Sequence, residues 1–251
     1  WNDIKIVIEY GMLSEDKFFD KADKFALYPT VDGSYFTYDE LLEKIKDAQT
    51  DKDGKTVILY ASDKEAQHSY IETAKAKGYE VLLLDSPIIG HLMQKLEGSK
   101  ENISFARVDA DHIDKLIQKE ETQISKLSDE EKETLKKELE EAITDKSFTV
   151  QLEAMDSDAS PFTITEPEFM RRMKEMQQTG GGMFGMGAMP DMYNLIVNTN
   201  HPLVSEFLNT KTAKKKERLI NQSLDLAKLS KGLLKGKALT EFIKRSYEMV
   251  K

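Results

Sequence analysis

Two short apolar runs, Thr56-Val-Ile-Leu-Tyr-Ala61 and Glu80-Val-Leu-Leu-Leu84, stand either side of one helix-length segment. This spacing leaves few folds open. Each run is almost unbroken in hydrophobes, the pattern of a strand covered on both faces. A turn, Asp51-Lys-Asp-Gly54, precedes the first. The intervening helix begins at a capping box, Ser62-Asp-Lys-Glu65, and ends at Lys77-Gly78, with glycine as the left-handed cap. Pro87 opens a second helix through Leu92, Met93 and Leu96, which Gly98 ends. Asn102 to Val108 alternates polar and apolar residues, as an edge strand does. Strand, helix, strand, helix, strand predicts a small three-stranded parallel α/β unit over 51–118. Such units often bind nucleotides at the carboxyl ends of their strands. Here that tip reads Tyr60-Ala61-Ser62-Asp63 and lacks a glycine fingerprint, so a structural layer is expected.

The flanks read differently. The chain starts at Trp1 without an initiator Met and runs at once into Ile4, Ile6, Val7 and Ile8, a strand-like or helix-like cluster. It is therefore expected to be a piece of a longer polypeptide. Ser14-Glu-Asp-Lys leads into Phe18, Phe19, Ala22 and Phe25. Thr37-Tyr-Asp-Glu40 is a capping box before Leu41, Leu42 and Ile45, so 1–50 reads as a helical connector. From Glu120 to Lys146 Glu and Lys dominate. A narrow stripe of Leu127, Leu135, Leu139, Ala142 and Ile143, after the box at Ser128–Glu131, predicts one solvated helix acting as a linker. Phe148 to Ala154 alternates as a half-exposed antiparallel strand. Pro161 to Thr165 is a candidate neighbour, and Tyr193 to Asn198 a third strand. A box at Thr165–Glu168 starts an amphipathic helix. Pro202 starts a short one, and two more run roughly over Ala213–Lys231 and Leu239–Val250. The expected fold class is α/β followed by α+β, with 119–251 as a C-terminal domain ending in a helical bundle.

Composition narrows the function classes. Hydrophobic residues make up 39 % and charged residues 32 %, which suits smaller modules in a row better than one large core. No apolar run is long enough for a transmembrane helix, and no signal peptide opens the chain. Cysteine is absent, excluding disulfides, a thiol nucleophile and cysteine-ligated zinc. The histidines at 68, 91, 112 and 201 show no ligand spacing, no nucleophile elbow appears, and Gly180–Gly182 is no phosphate loop. No catalytic residue, metal or cofactor is expected in this stretch. The net charge of −9 hides an asymmetry: residues 211–251 carry twelve Lys and Arg against four acids. A basic tail on an acidic body fits nucleic acid or an acidic surface, or the solvated face of an amphipathic helix.

Methionine is the loudest signal. Met170, Met173, Met176, Met183, Met186, Met189 and Met192 are seven of the eleven in the chain. Phe169, Met170, Met173 and Met176 lie on overlapping faces of the helix after Thr165, followed by a glycine-rich stretch with Met183 and Phe184. Flexible thioethers in this number suit a surface that accepts many partners. The alternative is a helix packing its methionines into its own domain. The last helices carry Leu219, Leu224, Leu226, Leu229 and Leu233, then Leu239, Phe242, Ile243, Tyr247 and Val250. With little else visible to pack on, such a pair is expected to join a second copy in a four-helix bundle; docking on its own domain is the alternative.

The order of these pieces resembles the heat-shock protein 90 chaperone family, in its bacterial, high-temperature protein G branch. Glu15-Asp-Lys-Phe-Phe-Asp-Lys21 is similar to the helical coil of the family's middle domain. Lys55 to Ala61 through Gly78 to Asp85 resembles its small α/β subdomain. Asn198-Thr-Asn-His-Pro-Leu-Val204 resembles its asparagine–histidine turn, and Leu224 to Gly232 with Phe242-Ile-Lys-Arg245 its dimerising helices. The resemblance implies a cytoplasmic, dimeric chaperone driven by ATP and magnesium that binds non-native clients. The ATPase domain and the arginine that contacts the ATP phosphates would precede Trp1, so these residues should bind no nucleotide. It also implies client contact by the segment matching Phe169–Met176. Where the family often carries an exposed, client-touching Trp, this chain has His91. The rival is a dimeric scaffold or nucleic-acid-binding module using the basic tail, which steep salt dependence would reveal.

Overall fold

The computed structural model describes residues 1–119, 123–143, 145–178 and 190–249. By its contacts the chain divides into two units, Trp1–Glu120 with Pro167–Met189, and Glu121–Glu166 with Pro190–Lys251.

The first unit opens with α1 (Lys5–Ser14) and α2 (Asp16–Ala22), so the run from Ile4 is a helix. Ser14 ends α1, its hydroxyl donating to the Tyr10 carbonyl at 2.6 Å, and does not cap α2. A small ribbon of β1 (Tyr28–Pro29) and β2 (Tyr35–Phe36) leads into α3 (Tyr38–Gln49). The expected capping box forms there, with Thr37 N donating to Glu40 Oε2 at 2.8 Å.

The centre of this unit is a parallel sheet of β3 (Thr56–Ala61), β4 (Val81–Leu83) and β5 (Ile103–Arg107), ordered β4-β3-β5. Helices α4 (His68–Ala76) and α5 (Ile89–Ser99) connect its strands, and α6 (Ile113–Leu116) follows. All six residues of β3 are buried. Alternate side chains of a strand point to opposite faces. Ile58 and Tyr60 accordingly pack with Met12, Leu41 and Leu92, while Val57 and Leu59 pack with Ile71, Ala74 and Ile113. Two covered faces explain the unbroken apolar run. Gly78 follows α4 with φ 77°, the left-handed conformation its position predicts. The start of α4 differs from expectation. Asp63 Oδ1 accepts from Glu65 N and Ala66 N at 2.9 and 3.0 Å, and Gln67 Oε1 accepts from Ser62 N and Asp63 N at 2.8 and 3.0 Å. These side chains build a turn where the Ser62 box was expected.

From residue 123 the chain enters the second unit, with α7 (Asp129–Ala142), β6 (Phe148–Glu153) and β7 (Phe162–Thr165). Helix α8 (Glu168–Gln178) falls in the first unit. The second resumes with β8 (Tyr193–Asn198), α9 (Pro202–Asn209), α10 (Ala213–Ser230) and α11 (Gly236–Met249). The Ser128 box forms as expected, Glu131 N donating to Ser128 Oγ at 3.2 Å. Leu135 and Leu139 are fully buried, so α7 packs into this unit's core and is more than a solvated linker. The sheet order is β6-β8-β7, with β6 parallel to β8 and β7 antiparallel to it. The expected antiparallel β6 next to β7 is thus corrected: β8 lies between them.

A polar knot fixes the end of β8. Fully buried Asn198 accepts from Met155 N at 3.2 Å and Asn200 N at 3.0 Å, and donates to the Asp156 carbonyl at 2.7 Å. Asn200 donates to the carbonyls of Ile124 and Met155, each at 3.1 Å. His201 caps α9, its Nδ1 accepting from Leu203 N at 3.1 Å, and burial lowers its pKa. The asparagine–histidine turn thereby satisfies loop backbone that would otherwise be buried unpaired. Among the described residues, no helix is long and apolar enough to cross a membrane.

Candidate functional site

Helix α8 lies along the open edge of β5. An edge strand leaves a row of backbone groups unpaired. Here side chains take them: Phe105 N donates to Glu97 Oε1 at 2.7 Å, Arg107 N to Glu168 Oε2 at 3.3 Å, and the Phe105 carbonyl accepts from Arg172 at 2.8 Å. Arg172 also donates to Glu168 Oε1 at 2.7 Å and to Glu97 Oε2 at 2.8 Å. Arg171, only 3 % exposed, reaches Glu168 and the Tyr60 hydroxyl, which itself donates to Glu168 Oε1 at 3.0 Å. Its guanidinium also stacks 5.5 Å from the Tyr60 ring centre.

Two acids and two arginines balance in charge, so the cluster can be buried without a net ion. Burial alone would raise the Glu168 carboxyl, but Arg171 and Arg172 outweigh it and hold that group below the ordinary glutamate range. Burial disfavours the charge on Arg172, yet Glu97 and Glu168 hold its guanidinium more firmly protonated. Because Glu168 is engaged in this way, the capping box expected at Thr165 does not form. The Thr165 hydroxyl is buried with no hydrogen-bond partner among the described residues.

Anchored on this polar side, α8 shows another side to solvent. Phe169 is 70 % exposed, and Met170 and Met173 are half-buried. Phe169 and Met173 line a cleft of about 570 Å³ whose opposite wall includes Leu84, Pro87, Ile89 and His91. Three residues singled out from sequence, His91, Phe169 and Met173, therefore border one cavity. Met170 does not line it. Met183 and Phe184 lie outside the described residues, as does the side chain of Met176. Sequence reasoning missed Tyr60, Glu97, Glu168, Arg171 and Arg172. The spacing of Glu168 to Arg171 and Arg172, three and four residues apart, is a visible helix signal; their partners on β3 and α5 are not.

The last two helices divide their apolar residues. Leu224 and Phe242 are buried within the second unit at 5 % and 7 % exposure, and Leu219, Leu233 and Leu239 are half-buried. Ile220, Leu224 and Ala227 join the unit's core, so α10 has its own packing surface, contrary to the expectation that little was left for it. Leu226, Leu229, Ile243 and Tyr247 remain exposed. In the basic tail Lys216 pairs with Glu138 at 2.7 Å, Lys215 with Glu206 at 3.4 Å, and Arg245 with Asp225. Those pairs fit a solvated amphipathic helix.

The amides of Ser62 and Asp63 at the carboxyl end of β3, which would cradle a phosphate, already donate to Gln67. Among the described residues, no three His, Asp or Glu groups are placed to hold a metal ion.

The family model described as Hsp90 protein matches residues 1–251. Chaperone protein HtpG of Porphyromonas gingivalis is 36 % identical over all of this chain and 46 % of its own length. The proteins of the same name from Bacteroides fragilis and Bacteroides thetaiotaomicron are 35 % and 36 % identical over the same shares. The chain thus spans about half the length of the curated relatives it matches. A match along its whole length places the chain in the Hsp90 protein family.

Proposed function

We propose that this chain is the client-holding and dimer-forming part of an ATP-driven chaperone, with the cleft between α5 and α8 as its client site. The observation that carries the reading is an exposed phenylalanine and a methionine on one wall of a cleft with apolar patches, on a helix fixed by an ion cluster around buried Arg171, two of whose members, Glu97 and Arg172, also line the cleft. A rigid base with a soft, apolar front suits segments of varied sequence. Burial is worth about 25 cal/mol per Å² removed from water, so a few side chains seated here support micromolar-class binding after ordering costs. Weak binding lets a client leave. Dimerisation would use Leu226, Leu229, Ile243 and Tyr247, with Leu219, Leu233 and Leu239 at the margins and Leu224 and Phe242 supporting from beneath. Nucleotide and magnesium would be held by other residues of the whole protein. Neither nucleic acid nor membrane is a partner in this reading.

The test is a fluorescence anisotropy titration with a labelled, permanently unfolded protein and its native form. Micromolar binding of the unfolded form alone, little changed by moderate salt, is expected. Equal binding of both forms, or loss in step with salt, removes the reading. A companion titration of ATP and magnesium by calorimetry should give no heat of binding. A micromolar dissociation constant would contradict the assignment of the nucleotide to other residues.

A further inference from the structure

We propose that Met173 is a reversible oxidation site and that its sulfoxide form closes the α5–α8 cleft to clients; this rests on the client-site reading above. Three observations lead to it. Sulfur in this chain is carried by methionine alone, since cysteine is absent, and seven of eleven methionines fall between 170 and 192. The described methionines divide sharply by access. Met12 and Met93 are 0 % exposed and Met155 7 %; Met192 and Met249, in the second unit, are exposed at 46 % and 49 %; Met170 and Met173 are half-buried, and of the described methionines it is Met173 that borders the cleft. Phe169 and Arg172 border the same cleft, whose open volume of about 570 Å³ admits a small oxidant.

The chemistry is a two-electron oxidation. The thioether sulfur attacks hydrogen peroxide, an S–O bond forms, the O–O bond breaks, and water leaves. The product is a polar, chiral sulfoxide, which methionine sulfoxide reductases return to the thioether at the expense of a thiol. A sulfoxide oxygen is a strong hydrogen-bond acceptor. Beside Leu84, Pro87, Ile89 and Phe169 it would have to lose its water to an apolar client side chain, while Gln94 and Arg172 of the same lining offer donors that would hold it in the client's place. The fold should not suffer, because Arg171 and Glu168 of the ion cluster do not line the cleft, although Arg172 and Glu97 do, and the core methionines are out of reach.

The experiment treats the protein with dilute hydrogen peroxide, maps sulfoxides by peptide mass spectrometry, and titrates labelled unfolded client before and after. Met173 should be converted while Met12 and Met93 stay thioethers. Affinity should fall about tenfold, the scale of losing one buried side chain, and a mixture of the two reductases should restore it. The melting transition should stay where it was. In Met173→Leu, whatever its starting affinity, the ratio of affinities before and after peroxide should be near one. Complete conversion of Met173 with unchanged affinity overturns the proposal. So does the same fold-loss in Met173→Leu, or a loss that tracks unfolding. Untreated protein that holds no client at all is a separate failure, which removes the client-site reading and this inference with it.

Discussion

Replacing Leu226 and Ile243 together by aspartate should turn a dimer of this chain into a monomer. Both side chains are exposed, at 51 % and 43 %, on the face of α10 and α11 that the second unit does not cover. Leu229 and Tyr247 lie one helical turn away on the same two helices, at 43 % and 70 % exposure. In a two-fold dimer each substitution is met twice. A carboxylate buried without a partner costs several kcal/mol in such a contact, so self-association should weaken by roughly a hundredfold or more. Sedimentation equilibrium at micromolar concentration should give about twice the 28.6 kDa chain mass for the unaltered protein and the single mass for the variant. Leu224→Asp should instead unfold the second unit, since Leu224 is in its core. A monomeric parent would end the proposal that these helices pair.

Arg171→Ala should strongly destabilise the first unit. Its guanidinium is buried between Glu168 and Tyr60. Removing one partner of a buried ion pair costs about 3–5 kcal/mol, and the lower end is expected because Arg172 still bridges Glu168. A fall in melting temperature of about 10 °C follows for a unit of this size. The loss should depend on pH. Glu168 has a folded pKa below its ordinary 4.5, so its contribution is fully present above that value and disappears as the pH falls through the lower folded one. The gap between parent and variant, measured by thermal melts, should be wide at pH 7 and close as the pH falls through the lowered folded pKa of Glu168. A gap independent of pH would mean that packing of the arginine stem, and not the charge, holds α8.

Local signals were legible wherever their partners were local. The Thr37 and Ser128 boxes form because hydroxyl, acid and amide all lie within four residues. The two apolar runs become neighbouring strands because nothing competes for them. The box expected at Ser62 loses to a local rival, and the one at Thr165 to a distant partner. Gln67 takes the amides at the first, and Glu168 is drawn from the second to Tyr60, 108 residues away in sequence. Periodicity marked Phe169 and Met173 as one face of a helix, yet gave no hint that His91 stands across a cleft from them. It also could not tell that Arg171 and Arg172 meet Glu97, Glu168 and Tyr60, because charge on a helix looks alike whether it faces water or a buried acid. Strand order in the second unit was hidden for the same reason. Alternation in β6 tells which side chains face inward, not which strand lies beside it or in which direction it runs.

Whether the cleft between α5 and α8 holds non-native protein is decided by a titration that removes two of its apolar side chains. Labelled unfolded client is titrated with the parent and with Phe169→Ser/Met173→Ser, while melting curves and sedimentation are recorded for both. Phe169 is already largely in water and Met173 half so, so the fold should tolerate both changes. Affinity should be lower by about ten- to a hundredfold, the scale of one or two lost side-chain burials, with an unchanged melting temperature and an intact dimer. Equal affinity in the two proteins would contradict it.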